Sequence, residues 1–450
     1  MKEYSSMKTK TLSLIVFIMG VMIALVASQS FAQNFPTYHA LGPAKATLWR
    51  PTSGTPSIGI VVMHRTSNFL NLGACSQMRD RGFVVLCMNT RFDNNESEVI
   101  FEELALDVRA GINFLKQNQS GLTPGITKVV LWGYSGGGPT MSFYQAVAEV
   151  GVGFCQDPRK LTQCDSTGST SLVGLPKADG IVFVDAHPGN PIIGMLRSNN
   201  PAVHNENHPE NLRDRLNPYD PVNGYNPNGL STYSDSFKKR YFEGQSDRLN
   251  ELIDEALDIQ FHIDRGTYPY PDNAPFVIGR STASKLFVLD TSILHSTEKP
   301  RKLLKDDGTI DDTHIVESVR LPDPTVAQTD ETFDAGARLL TVKSFLSTNA
   351  IRSTNSIDGI DYCSSNNSTV CNVRQITVPV LFTAMGAYYF IRDNEIHFEE
   401  AKSGDKNFVV IAGLVHGITP CNACPGGPYN NSQKNFYDYV ASWLNKPGRF

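Results

Sequence analysis

The chain has 450 residues, with 40 Lys and Arg against 45 Asp and Glu, for a formal charge of −5. So even a balance offers no basic field for nucleic acid, and no nucleic-acid partner is expected. With 40% hydrophobic and 10% aromatic residues it can fill a full core, which excludes disorder, collagen and coiled coil and leaves one elaborated domain or two.

At the start, Lys2, Lys8 and Lys10 precede an apolar run from Leu12 to Val26, and Ser30-Phe31-Ala32 puts small residues at the two positions a signal peptidase reads. Residues 1–32 are therefore expected to be a cleaved secretory signal, sending the protein to the periplasm or outside the cell. An uncleaved anchor is the alternative, because the run is long for a signal. No later stretch is long and apolar enough to span a bilayer, so no stable membrane insertion is expected after cleavage. All eight cysteines follow the signal. Cys155 and Cys164, Cys363 and Cys371, and Cys421 and Cys424 fall as close pairs, leaving Cys75 and Cys87, and an even count in an oxidising compartment favours disulfides. Cys421-x-x-Cys424 lacks the second pair that would complete a zinc site.

Hydrophobic periodicity then alternates between strand and helix. Ala44 to Trp49 and Ile58 to Met63 read as strands, the second β-branched enough to be covered on both faces. Asn68 to Arg81 reads as a helix, Phe83 to Met88 as a strand and Phe101 to Lys116 as a helix. Lys128 to Trp132 is a strand that runs into Gly133-Tyr134-Ser135-Gly136-Gly137-Gly138, with a helix from Thr140 to Val150 behind it. Ala178 to Val184 is a further buried strand, ending at Asp185. Residues 186–375 change character, with Asn, Asp, Pro and Tyr in abundance and amphipathic helices expected at Ser234 to Ile263 and Glu331 to Leu346; they read as a cap or insertion. The strand-helix rhythm resumes at Val378 to Met385, a helix at Glu395 to Lys402, a strand at Asn407 to Ala412 and a last helix at Gln433 to Leu444. The core is thus expected at 33–185 and 376–450.

The main chemical signal is Gly133-x-Ser135-x-Gly137. A strand that turns at once into a helix forces its central residue into a strained conformation, and side chains two positions to either side would collide. Such a turn lifts the serine hydroxyl clear of the sheet and leaves the Gly136 N–H at a helix N-terminus, where it can stabilise an oxyanion. The pattern lies between a strand and a helix, the context that gives it meaning. A phosphate cradle would need the Gly-Lys-Ser/Thr ending, which is missing.

With these motifs the chain resembles an α/β-hydrolase with a serine nucleophile, over about residues 44–185 and 376–445. The resemblance implies a mostly parallel, doubly wound sheet with a large cap insertion, and catalytic residues in the order Ser, Asp/Glu, His. His416, in Gly413-Leu414-Val415-His416-Gly417 between the last strand and last helix, fits the base. For the acid, Asp185 ends an apolar strand, while Asp393 and Glu395 follow the next one; Asp185 is favoured, with a helix-capping role as the other reading of Asp393. The second oxyanion donor falls in His64-Arg65-Thr66-Ser67-Asn68, in the place usually held by His-Gly, and the Thr66 N–H is the candidate; the alternative is that His64 and Arg65 only pin the loop.

His204-x-x-x-His208 lies in an Asn- and Pro-rich loop and the acidic stretch Asp306 to Asp312 lacks a calcium loop's glycine, so no metal is expected. Asn95 and Asn367 match glycosylation acceptors. The implied protein is an exported serine hydrolase, a carboxylic ester hydrolase of esterase or lipase type that acts on a small-molecule ester through an acyl-enzyme and needs no cofactor. Tyr268 and Tyr270 of the cap are expected to roof its pocket. A peptidase or amidase with the same triad, and a non-catalytic binding module on the same scaffold, are the other readings.

Overall fold

The apolar runs pair side by side. In the computed structural model, which describes residues 35–281, 285–323 and 336–450, they are β1 (Thr37–Leu41), β2 (Ala44–Trp49), β3 (Ile58–Met63), β4 (Val84–Asn89), β5 (Lys128–Tyr134), β6 (Gly180–Val184), β7 (Lys302–Leu304), β8 (Ile310–Asp311), β9 (Val380–Met385) and β10 (Lys406–Ile411). The expected signal lies outside the described residues. One sheet takes all ten strands, in the order β1-β2-β4-β3-β5-β6-β9-β10-β7-β8. From β4 to β7 every neighbouring pair is parallel, while β2 runs antiparallel to β4 and β1 to β2. Along β4 every residue is buried, and along β3 and β5 every residue but the first, as strands covered on both faces require.

The two faces carry separate apolar layers. Val61, Met63, Leu86, Leu131, Phe183 and Phe382 face α2 (Leu104–Lys116) and α3 (Gly137–Val150). Alternate residues of the same strands, among them Val62, Val85, Trp132, Val184 and Val409, face α1 (Gly73–Arg79) and α6 (Ser432–Leu444). The period-2 alternation of each strand thus decides which helix pair it meets. Helix α5 (Ile391–Glu400) lies between β9 and β10 in sequence and packs against both.

Several boundaries differ from the sequence reading for local reasons. β1, unforeseen, is an edge strand with alternate residues exposed, turned onto β2 through Gly42 at φ 68°. The helix expected from Asn68 begins only at Gly73, because Asn68 and Asn89 tie the preceding loop together by side-chain hydrogen bonds. In the insertion the long helix is present as α4 (Asp235–Asp264), capped by the Ser234 hydroxyl on the Phe237 N–H. The second expected helix, Glu331 to Leu346, is corrected. Residues 331–335 lie outside the described residues, Arg338–Thr341 is a strand paired antiparallel with Pro275–Ile278, and after that strand helical turns follow from Val342. The acidic stretch at 306–312 holds the turn of a hairpin whose strands β7 and β8, although they lie within residues 186–375, extend the central sheet.

All eight cysteines are paired as Cys75–Cys87, Cys155–Cys164, Cys363–Cys371 and Cys421–Cys424. Asn367 is fully buried, accepting from the Asn190 N–H and donating to the Thr348 carbonyl, so in the folded chain it is closed to glycosylation. No helix among the described residues is long and apolar enough to cross a membrane.

Candidate active site

β5 ends at Tyr134 and α3 begins at Gly137, so Ser135 and Gly136 make the whole turn. Ser135 takes φ 55°, a left-handed conformation that a side chain tolerates only when its surroundings hold it. They do. Its N–H donates to the Val184 carbonyl at 3.1 Å, and its own carbonyl accepts from the N–H groups of Gly138 and His187, each at 3.0 Å. The flanking glycines are required by close approach. A Cβ on Gly133 would lie 2.9 Å from the Gly138 Cα, and one on Gly137 would lie 2.3 Å from the Met63 carbonyl oxygen. The Gly136 N–H, at the start of the helix, meets no acceptor among the described residues.

His416 sits on the loop between β10 and α6, with its ring against Tyr134, Tyr388 and Phe390 at centroid distances of 5.1, 4.6 and 5.4 Å. Its Nε2 is 2.8 Å from Ser135 Oγ and its Nδ1 is 2.6 Å from Asp185 Oδ2. Asp185 directly follows β6 at φ 42° and is fully buried, and its second oxygen accepts the Met385 N–H at 3.0 Å. A carboxylate only accepts, so the His416 proton resides on Nδ1 and the bare Nε2 accepts the Ser135 hydroxyl. The two alternative acids face elsewhere. Asp393 takes both its hydrogen bonds from Arg197 at 3.0 Å, and Phe390, not Asp393, is the α5 cap residue. Glu395 accepts from the N–H groups of Glu298 and Lys299 and from Arg301 and Arg392.

The expected second oxyanion donor needs correction. The Thr66 N–H donates to His64 Nδ1 at 3.1 Å, and the Ser67 N–H to the same atom at 2.9 Å, so Thr66 is engaged within its own loop. The same two bonds fix His64 with its proton on Nε2. That atom lies against the elbow, 2.6 Å from where a Cβ on Gly136 would stand. Burial, then the adjacent Arg65, lowers the His64 pKa to about 3, so the ring is a neutral donor. Arg65 itself is bound bidentately by Glu96 and reaches Asn190 at 3.1 Å. His64 thus both pins the loop and presents an N–H to the elbow.

Tyr268 packs on an apolar cluster built mainly within residues 192–351 and Tyr270 is half exposed, and the aromatic surface on His416 comes instead from the 388–390 segment. Sequence reasoning also passed over His187. Its Nε2 lies 3.1 Å from Ser135 Oγ. A histidine two residues beyond an acid at a strand end was the available signal, since both then sit at the same sheet edge.

Another of the ten histidines carries a stability prediction. His397, on α5, is fully buried with neither ring nitrogen hydrogen-bonded among the described residues, and burial, then Arg197, lowers its pKa to about 3. Between that value and the ordinary histidine pKa of about 6.5 the unfolded chain binds the extra proton, so stability falls as the solution is acidified through that window. His397→Leu is expected to lose about 2 kcal/mol less than the wild type between pH 6.5 and 4.5. Urea unfolding at the two pH values measures this, and equal losses in both proteins would rule it out.

No family model and no curated protein matches the sequence. Among solved structures, the siderophore hydrolase EstB from Aspergillus fumigatus is similar with a TM-score of 0.45 at 8% identity, over 91% of this chain and 96% of its own. A monoacylglycerol lipase from Paleococcus ferrophilus gives 0.36 at 13% identity, over 91% and 98%. A bromoperoxidase from Bacillus anthracis gives 0.31 at 12% identity, over 91% and 99%. The strand order with its antiparallel β2, the serine turn between β5 and α3, and the histidine loop after β10 together make up the α/β-hydrolase fold, and this chain has it.

Proposed function

We propose that the protein is an exported serine hydrolase that cleaves carboxylic esters through an acyl-enzyme. The observation that carries this reading is the unbroken relay from Asp185 through His416 to Ser135, at 2.6 and 2.8 Å. Ser135 Oγ attacks the ester carbonyl as its proton passes to His416 Nε2, and Asp185 stabilises the imidazolium. The oxyanion meets the Gly136 N–H and, in place of Thr66, the His64 Nε2–H. His416 then gives the proton to the leaving alcohol and later takes one from the water that releases the acid.

Residues 186–375 are read as the cap that sets substrate size. In support, Ile193, Leu286 and Phe287 of that insertion share an apolar cluster with Phe390, and Tyr388, stacked on His416, packs against it. Four disulfides and the absence of a free cysteine support an oxidising compartment.

A fluorophosphonate probe tests the nucleophile. Wild-type protein is expected to be labelled and Ser135→Ala protein not; an unlabelled wild type, or a labelled variant, overturns the reading. Short p-nitrophenyl esters are expected to turn over faster than aminoacyl amides, and the reverse order would make the protein an amidase.

A further inference from the structure

Ser135 Oγ lies between two imidazoles, His416 Nε2 at 2.8 Å and His187 Nε2 at 3.1 Å. The hydroxyl has one proton, and the protonation of His416 on Nδ1, dictated by Asp185, assigns that proton to His416 Nε2. Only a lone pair of Oγ is left for His187, so His187 must carry its own proton on Nε2 and donate it. The remaining nitrogen, Nδ1, is sealed and has no partner among the described residues, so nothing supplies a competing acceptor that would pull the proton there.

The backbone holds this ring in place. The His187 N–H donates to the Ser135 carbonyl at 3.0 Å, and the His187 carbonyl accepts the Thr369 hydroxyl at 2.6 Å. Phe390 packs edge-on against the ring at 5.1 Å, and the His416 ring lies nearly parallel to it at 6.3 Å. Burial, with His416, His64, Arg65 and Lys285 nearby, keeps the His187 pKa well below the ordinary value, so this imidazole stays neutral while His416 becomes charged.

Resting on the serine hydrolase reading above, we propose that His187 is a further catalytic residue, a fixed neutral donor to the nucleophile oxygen. As the Oγ–carbon bond forms, the serine proton moves to His416, the carbonyl π pair moves onto the carbonyl oxygen, and the His187 N–H bond remains intact. Its donation lowers the cost of charge on Oγ during attack. In deacylation, water adds to the acyl carbon, the bond from that carbon to Oγ breaks, and Oγ departs with the electron pair; the same donor stabilises it until His416 returns the proton. His416 carries the mobile proton and His187 never transfers its own.

The test compares His187→Phe, which keeps a ring without the donor, with His187→Gln, whose amide nitrogen reaches about as far as Nε2. His187→Phe is expected to lose about a hundred- to a thousandfold in kcat/KM and in the rate of fluorophosphonate labelling, a range typical of one lost donor at the reacting centre. His187→Gln is expected to recover at least tenfold of that loss. The acidic limb of the kcat/KM profile should keep its midpoint in both variants, since His187 does not titrate there. If the Phe variant does not fold, Gln against the shorter Asn carries the comparison, with Asn expected at least tenfold slower. A Phe variant as fast as wild type, a Gln variant no faster than Phe, or an acidic limb displaced by the substitution overturns the proposal. A wild-type protein that is not labelled at all would instead overturn the serine hydrolase reading itself.

Discussion

Asp185→Asn is expected to lower kcat by about 10⁴-fold with little change in thermal stability, the size of effect found when a triad carboxylate of a serine protease becomes an amide. The cause is visible in what surrounds the side chain. Oδ1 accepts the Met385 N–H at 3.0 Å, so in the variant the amide carbonyl stays on that side and the NH₂ group turns toward His416 Nδ1. An NH₂ group can only donate there, which moves the imidazole proton to Nε2. Nε2 then has no lone pair for the Ser135 proton, and the nucleophile loses its base without any change of shape. Turnover of p-nitrophenyl butyrate, with melting temperatures as a control, measures the loss. Glu395→Gln is the matched comparison and should keep kcat within a few-fold for its folded fraction. Should Asp185→Asn remain within tenfold of wild type, the carboxylate assignment is wrong.

What the sequence made legible divides along physical lines. The parallel strands were readable because a strand covered on both faces must be apolar at nearly every position, as in Ile58–Met63 and Val84–Asn89. Ser135 and its glycines were readable because backbone approach leaves no room for a Cβ. His416 and Asp185 follow from where loops leave the sheet, and the structure brings His416 to Ser135 and Asp185 to His416. Thr66 could not have been rejected beforehand, since whether its N–H faces the site depends on the rotamer of His64. The donor roles of His187 and His64 were hidden in the same way: what makes a histidine a donor is which of its nitrogens meets a partner, and that depends on residues distant in sequence. In the insertion, the strand at Arg338–Thr341 owes its form to pairing with Pro275–Ile278, a partner about 60 residues away that no local period announces.

The second large effect concerns stability and explains why Asp393 looked like a triad acid. A fully buried acidic residue is unusual unless paired, and Asp393 is paired with Arg197, which precedes it in sequence by almost the whole insertion. Both side chains are 1% exposed, and Arg197 also donates from Nε to the Ser356 carbonyl at 2.9 Å. Asp393→Asn leaves that guanidinium buried without its counter-charge, which is expected to cost about 3–5 kcal/mol of unfolding free energy. Removing both charges together, as in Arg197→Met with Asp393→Leu, is expected to return most of it, because the desolvation of each ion disappears along with their attraction. Urea unfolding of Asp393→Leu, Arg197→Met and the double variant provides the cycle. In each, kcat per folded molecule should stay near wild type, because neither side chain meets Ser135, His416 or Asp185. A single variant as stable as wild type would mean that the pair is not sealed from water. A kcat that fell with Asp393→Asn while Asp185→Asn stayed active would move the acid of the relay from β6 to α5.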